Sequence, residues 1–327
     1  MARRRSSGQR NAARVVYEAL GERNVPGELR ILRTVFLGEG LTYRTWGVEV
    51  EWVWRGERQA YMGVVARIPH RDSEEDQPER AGREEALLRH LATLDPPFEI
   101  PEPIALVKSD VHGRPRLSVV QGWVEGIPLN FKVAGIEGDR PWEVVARVAA
   151  FCHRLNPEPL TRFLPGYSTR RDHAFASLDE VVPPSAAELA PLRAWGEGHL
   201  PPATPARLLH GDLLGQNLIQ RIFVDRPEEA VALPLGVIDW EYAELGDPAF
   251  DLAIATRGHR RPFRGGGLRD LVESYNRLAP EPVQLHEVRL HELCILAHAY
   301  RAARDEDNGG AAENELHHIN NLIGESG

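Results

Sequence analysis

LLHGDLLGQNLIQ (Leu208–Gln220) and LGVIDWEYAELGDPAFDLA (Leu235–Ala253), separated by a polar, proline-containing interval, are the two runs around which the chain is read. The first holds His210, Asp212 and, five positions after the aspartate, Asn217; the second holds Asp239 behind the apolar run Leu235–Ile238. A loop with an aspartate and an asparagine, followed by a buried strand that ends in a second aspartate, is what metal-assisted phosphoryl transfer needs. One carboxylate orients a hydroxyl nucleophile, while an amide oxygen and a second carboxylate hold Mg²⁺ against phosphates.

Working outward toward the N-terminus, residues 29–69 alternate apolar and polar side chains, most clearly over Val48–Trp54, and the turn at Arg55–Glu57 predicts a hairpin into Tyr61–Ile68. Between the first two predicted strands lies LGEGLTYRTW, where Gly38 and Gly40 flank Glu39. Small residues there let backbone N–H groups approach an anion, although a GxG in a hairpin is more simply read as an ordinary turn. Arg67 stands in the apolar run VVARIP. Either it points inward and asks for an anionic partner, or it lies on the open face of an edge strand with Val65. Residues 71–80 read as a solvated loop, and AGREEALLRHLATL as an amphipathic helix. Glu84 precedes Leu87, Leu88 and Leu91 by three, four and seven positions and so shares the apolar face, either as a partner for Arg67 or as the acidic edge of the stripe.

The strand-like RLSVVQGW leads through Gln121, Gly122, Trp123 and the glycine-flanked residues 122–126 into helical sequence. This composition shift predicts an N-terminal, mostly β lobe over residues 1–121, a link at 122–126, and a helical lobe over 127–327. Backbone around Gln121–Trp123 is placed to pair with a planar base. Pro141–Leu155 reads as a helix with Pro at its start and His153 as a satisfied core histidine. Further helices are predicted at LRDLVESYNRLA, VQLHEVRLHELCILAHAYRAARDEDN and Ala312–Ile323. The acidic residues Asp305, Glu306, Asp307, Glu313 and Glu315 read as a solvated helix end, with attraction of a polyamine as the alternative.

Composition narrows the function classes. The 327 residues are 42% hydrophobic and 27% charged, with a formal charge of −9, which argues against an extended nucleic-acid footprint and favours a cationic small molecule as partner. Of the 39 basic residues 37 are arginine, so an arginine in a lysine's usual place is unsurprising here. Cys152 and Cys294 lie in apolar stretches and read as buried free thiols of a reducing compartment. Residues 1–12 are basic and read as a ragged tail, and no membrane-spanning run is found; a cytoplasmic protein is expected.

HGDLLGQN and IDWEYAELGDPAFDLA resemble the catalytic and metal-binding segments of the aminoglycoside phosphotransferase and choline kinase-like family, and the weaker features over residues 30–300 follow that family's order. The resemblance implies an α+β, bilobal protein-kinase-like fold and transfer of the γ-phosphate of ATP or GTP, with Mg²⁺, to a hydroxyl of a small molecule. It implies Asp212 as catalytic base, Asn217 and Asp239 as metal ligands, and Gly38, Gly40, Thr42, Arg67, Glu84, Gln121 and Trp123 as the nucleotide site. His210, Asp247 and Asp251 are implied as supports, the first two beside the catalytic loop and at the start of the helix near Pro248. Two departures stand out: Tyr43 occupies the position of a protein kinase's third glycine, and Arg67 replaces lysine. Aminoglycosides are the expected acceptors, with macrolides, sugars or amino alcohols as alternatives and a non-catalytic nucleotide-binding module as the reading from another class. Acceptor-binding residues and oligomeric state have no signal in the sequence.

Overall fold

The computed structural model describes residues 6–21, 27–70, 76–111, 114–132, 140–183, 186–220 and 235–325. Helix α1 (Ser7–Leu20) precedes three long strands, β1 (Glu28–Glu39), β2 (Tyr43–Trp54) and β3 (Glu57–Pro69), then α2 (Gln77–Ala92), β4 (Pro103–Val111) and β5 (Arg114–Gly122). A short β6 (Ile127–Pro128) is followed by α3 (Pro141–Arg154), α4 (Arg170–Val181), α5 (Ala190–Gly198), and the three-residue strands β7 (Arg207–Leu209), β8 (Leu218–Gln220), β9 (Leu235–Val237) and β10 (Glu244–Gly246). The chain then runs through α6 (Pro248–Thr256), α7 (Leu268–Asn276), α8 (Leu285–Asp305) and α9 (Gly309–Glu325). It divides into two compact units, Met1–Gly126 with Pro234–Glu241, and Ile127–Leu233 with Tyr242–Gly327.

In the first unit β1, β2, β3, β5 and β4 form an antiparallel sheet in that order. Arg55 and Gly56, at φ 52° and 81°, make the two-residue turn between β2 and β3, a backbone shape that matches strand twist. Val48, Val50, Val64 and Ala66 point to one face, where they pack with Ala12, Val15, Val16 and Leu20 of α1. The tail expected over residues 1–12 is therefore corrected from Ser7 onward. Ser6 and Gln9 form a reciprocal capping box that starts a helix, and Ala12 is fully buried. Residues 1–5 of that expected tail lie outside the described residues, as do 71–75 of the expected loop. Residues 122–126, expected as a link, fall within the first unit, where β5 extends through Gly122.

β9 joins this unit far from it in sequence: Glu99 N donates to Leu235 O at 2.7 Å and Val237 N to Glu99 O at 2.8 Å. The backbone running up to Asp239 is thus fixed by main-chain bonds.

The second unit is helical. Leu178, Leu192, Leu290, Leu293, Leu296 and Leu322 meet in one core built from α4, α5, α8 and α9, while α3 packs on α6 and α7. Two antiparallel strand pairs, β6 with β8 and β7 with β10, frame the loop that carries Asp212. Cys152 and Cys294 are free and buried. Among the described residues no helix is long and apolar enough to cross a membrane.

Candidate active site

Arg67 sits near the end of β3, and it is buried despite sharing a face with Val65, because the last six residues of that strand are covered on both sides. Its Nη1 donates to both carboxylate oxygens of Glu84 on α2, at 2.6 and 2.8 Å. Nη2 donates to Asp239 Oδ1 at 2.8 Å and to Glu241 Oε2 at 3.0 Å. The guanidinium also lies over the Tyr43 ring, 4.4 Å from its centroid, and the Tyr43 hydroxyl accepts from Gln77 Nε2 at 2.7 Å. A planar fork can serve carboxylates on two sides at once, which a lysine ammonium on one flexible stem does less well. The inward reading of Arg67 and its pairing with Glu84 are what the structure contains.

One cation among three carboxylates leaves an excess of negative charge. Burial pushes the Glu241 carboxyl up to about 7; Arg67 pulls it down, and Asp239 and Glu84 push it further up. Glu84 is raised for the same leading reason, burial, against the pull of Arg67. Burial alone would discharge Arg67, but Glu84, Asp239 and Glu241 hold its proton well above the ordinary arginine range. Asp239 has φ 67°, a left-handed backbone that aspartate tolerates better than most side chains. Its side chain is 31% exposed, in contrast to the buried Arg67 and Glu84 beneath it.

The sequence pattern points neither to Glu241 nor to the ring of Tyr43. The available signal was an acid two positions after the motif aspartate, in DWE. Strand alternation does not describe that turn, so the sequence pattern gave no direction for the side chain.

The remaining residues expected at the nucleotide are placed differently from one another. Gly38 lies within β1, and Gly40 closes the hairpin by donating its N–H to Tyr43 O at 2.9 Å. Of the two readings of this GxG, the ordinary turn is the one present at Gly40, whose hydrogen is committed to the hairpin. Thr42 is buried, and its carbonyl accepts from His70 N at 2.9 Å. The N–H groups of Gly122 and Trp123 are likewise taken, by Glu102 O at 2.8 Å and Gly63 O at 3.2 Å, so neither offers a free donor to a base. Trp123 contributes its ring instead: a Cβ on Gly47 would meet the indole at 2.4 Å. The indole thus lies on the sheet face that also carries Val65 and Arg67. Gln121 is buried in β5, and its Oε1 has no hydrogen-bond partner among the described residues.

In the second unit the loop His210–Asn217 is held from below by one carboxylate. Asp251 on α6 accepts from His210 N at 2.9 Å and Gly211 N at 3.0 Å, and it also faces His153 Nε2 at 3.1 Å. His153 is in turn hydrogen-bonded through Nδ1 to the Tyr275 hydroxyl at 2.8 Å. Burial would raise the Asp251 carboxyl, but the bonds and charge of His153 and His210 bring it below the ordinary range. Gly211 is at φ 80°, and a Cβ there would lie 2.1 Å from Tyr242 O, so only glycine fits this bend. His210 accepts Asp212 N through Nδ1 at 3.2 Å, a supporting contact.

Within the loop, Asn217 Nδ2 donates to Asp212 O and to Asp212 Oδ2, both at 2.8 Å. With both amide hydrogens spent on the aspartate, Asn217 keeps Oδ1 to offer. That oxygen is a hard donor of the kind that binds Mg²⁺, an ion that takes few protein ligands; in the first unit the partly exposed carboxylate of Asp239 is a donor of the same kind. Asp247 caps α6 through Ala249 N at 3.3 Å and also receives Arg170 Nε at 2.6 Å and faces His291 Nε2 at 3.0 Å. Burial opposes its charge, but these partners lower its carboxyl to about 2.

An antiparallel sheet unit with an Arg–Glu pair reaching a motif aspartate, followed by a helical unit with an Asp–Asn loop pinned by a buried aspartate, defines a kinase-like phosphotransferase architecture. The model of the phosphotransferase enzyme family matches residues 42–288, and the chain belongs to that family. No curated protein matches it. Among solved structures it is similar to the GDP complex of aminoglycoside 2'-phosphotransferase-IIIa, with TM-score 0.65 and 16% identity over 98% of this chain and 100% of that one. It is also similar to a thermostable mutant of aminoglycoside phosphotransferase APH(4)-Ia in ternary complex with ADP and hygromycin B, with TM-score 0.59 and 16% identity over 97% of this chain and 98% of that one. A third is the macrolide 2'-phosphotransferase MphH from Brachybacterium faecium, with TM-score 0.56 and 18% identity over 96% and 97%.

Proposed function

We propose that this phosphotransferase moves the γ-phosphoryl group of ATP or GTP directly to a hydroxyl of a small molecule, with an aminoglycoside as the first choice of acceptor. The observation that carries the proposal is the Asp212–Asn217 geometry, in which the asparagine amide fixes one carboxylate oxygen of Asp212 while its own oxygen remains for a cation. Asp212 orients the acceptor hydroxyl and receives its proton as the phosphorus–oxygen bond forms. Asn217 Oδ1 and Asp239 are the proposed metal donors; bound Mg²⁺ would neutralise charge that develops on the phosphates. Arg67 supplies a fixed positive charge for those phosphates, and Glu84 holds it in place. The transition state is loose and anionic, so positioning and charge account for catalysis without a covalent enzyme intermediate.

Support for an aminoglycoside comes from the net charge of −9 and from similar structures that carry hygromycin B or are named for aminoglycosides. Similarity to a macrolide phosphotransferase keeps macrolides as the second reading. A cytoplasmic location remains part of the proposal. The test is nucleoside diphosphate release with Mg-ATP or Mg-GTP across aminoglycosides, macrolides, sugars and amino alcohols. Turnover confined to the last three classes rejects the aminoglycoside. Binding of nucleotide without turnover on any of them, unchanged in Asp212→Asn, establishes the non-catalytic alternative. If Asp212 is the catalytic base, Asp212→Asn lowers kcat on the order of 10²- to 10⁴-fold while nucleotide affinity is kept.

A further inference from the structure

Between α6 and α7 the sequence reads RGHRRPFRGGGLR (Arg257–Arg269), with five arginines and no acid in a chain whose net charge is −9. The segment is firmly seated. Phe263 is buried against Phe131 and Trp142, with ring centroids 4.9 and 6.2 Å apart, and Arg264 N donates to Phe131 O at 2.8 Å. Gly266 rests on Trp142 so closely that a Cβ would come within 2.6 Å of the indole. Beside it opens a cavity of about 520 Å³, lined by Arg260, Arg261, Arg269 and, from α8, Arg289, over the bare backbone of Gly265–Gly267.

The acids in this wall are already engaged. Asp270 accepts Gly267 N at 2.8 Å as part of the start of α7, and Glu325 lies 3.9 Å from the exposed Arg260. Arg289 is paired with Glu292 at 2.6 Å. Arg261 and Arg269 are exposed, and among the described residues no carboxylate lies within ion-pair distance of either. Clustered guanidiniums without counter-charges repel one another unless an anion joins them, and their forks suit phosphate oxygens. The volume is that of a small-molecule site, larger than a lone phosphate requires.

We propose that this arginine-lined cavity binds a small molecule bearing more than one phosphate-like anionic group, through Arg261 and Arg269 with Arg260 at the rim. The site repels a polycation, so it does not hold the amines of an aminoglycoside. It lies close to the catalytic loop within the same unit, since Phe131 touches both Phe263 and the position of Gly215, where a Cβ would lie 3.2 Å from the Phe131 ring. The anion is therefore either part of an acceptor or a separate ligand felt at that loop.

Isothermal titration of the full chain with pyrophosphate, in chelator and without nucleotide, tests the site independently of turnover. The expected result is saturable binding that weakens about tenfold or more in the Arg261→Ala, Arg269→Ala double variant. Binding should persist in Asp239→Asn and in Arg30→Ala, Arg33→Ala, which removes two exposed arginines from β1. Arg261 and Arg269 are both exposed, so the double variant should keep the wild-type melting temperature. Absence of saturable binding to the wild type, or equal weakening in the β1 control, overturns the proposal. With an acceptor that turns over, competition by pyrophosphate would identify the acceptor's own anionic group, whereas a change in kcat without competition would identify a separate ligand; each supports the site.

Discussion

Arg67 holds both sides of its surroundings with one planar group: Nη1 serves Glu84, and Nη2 serves Asp239 and Glu241. Arg67→Lys keeps the charge and loses the fork, so Glu84 or the Asp239 side must go without a donor. We expect a cost of about 3 to 5 kcal/mol where a buried pair is broken outright, less if the ammonium re-pairs with Glu84, and a rise in KM for nucleotide in either case. Thermal unfolding and nucleotide titration of the variant measure the two effects; wild-type values in both would remove Arg67 from the proposed role. Gly211 gives a sharper case. Alanine there must tolerate φ 80° and a contact at 2.1 Å with Tyr242 O, and that contact is backbone, which cannot swing aside. The predicted outcome for Gly211→Ala is a lower melting temperature, reflecting at least about 1 to 3 kcal/mol of strain, together with loss of turnover because Asp212 is the next residue. Retained turnover would show that the loop can shift without harm. The motif residues of this loop were legible because their spacing carries chemistry. Glu241 and the Tyr43 ring were not, since their directions depend on a left-handed turn at Asp239 and on a β-strand neighbour.

At the scale of the element, α1 shows what composition hides. Its sequence, SGQRNAARVVYEAL, has few large apolar residues, so the run beginning at Ser7 looks like a polar tail; yet Ala12, Val15, Val16 and Leu20 are fully buried on the sheet. Alanines contribute close packing while adding little hydrophobic signal, which is why residues 7–12 read as part of a ragged tail although they form the first turns of the helix. Strand β3 shows the opposite case: alternation leaves both an inward Arg67 and an open face as readings, and packing decides, since α1 covers Val64 and Ala66 while Arg67 on the other face is tied to α2. Burial of Val15, Val16 and Leu20 is worth roughly 1.5 to 3 kcal/mol each, as an upper estimate. Removing residues 1–20 should therefore destabilise the sheet unit by several kcal/mol and uncover Trp46, Val48 and Val50. Val16→Asp, which buries an unpaired carboxylate instead, should lower the unfolding midpoint without deleting the helix. Denaturant unfolding and the soluble fraction after expression measure both variants; an unchanged midpoint in Val16→Asp would mean that α1 is dispensable to the sheet.

For the whole molecule, the balance of buried carboxyls sets how stability responds to pH. Glu292 on α8 is buried beside Thr256 and Arg289; burial raises its carboxyl to about 7, against the lowering effects of Arg289 and the Thr256 hydroxyl. Its folded pKa is above its unfolded one, so between the ordinary carboxylate range and pH 7 the folded chain holds a proton that the unfolded chain has released. Stability from this group is then complete at low pH and falls as pH rises through about 7. Asp247 works in the other direction. Its carboxyl is lowered to about 2, so its contribution is present above the ordinary aspartate range and is lost as pH falls toward 2. Together they place the greatest stability at mildly acidic pH, with a decline on both sides. The span of Glu292 corresponds to on the order of 3 kcal/mol between pH 4.5 and 8. Glu292→Gln keeps groups able to bond Thr256 and Arg289 but removes the ionisation, so its unfolding free energy should decline less steeply over that interval than that of the wild type. Urea titrations at half-unit pH steps, without nucleotide or added metal, compare the two slopes. Parallel curves would assign the alkaline decline to other groups, of which Glu241, raised by burial in the same sense, is the next to replace with glutamine.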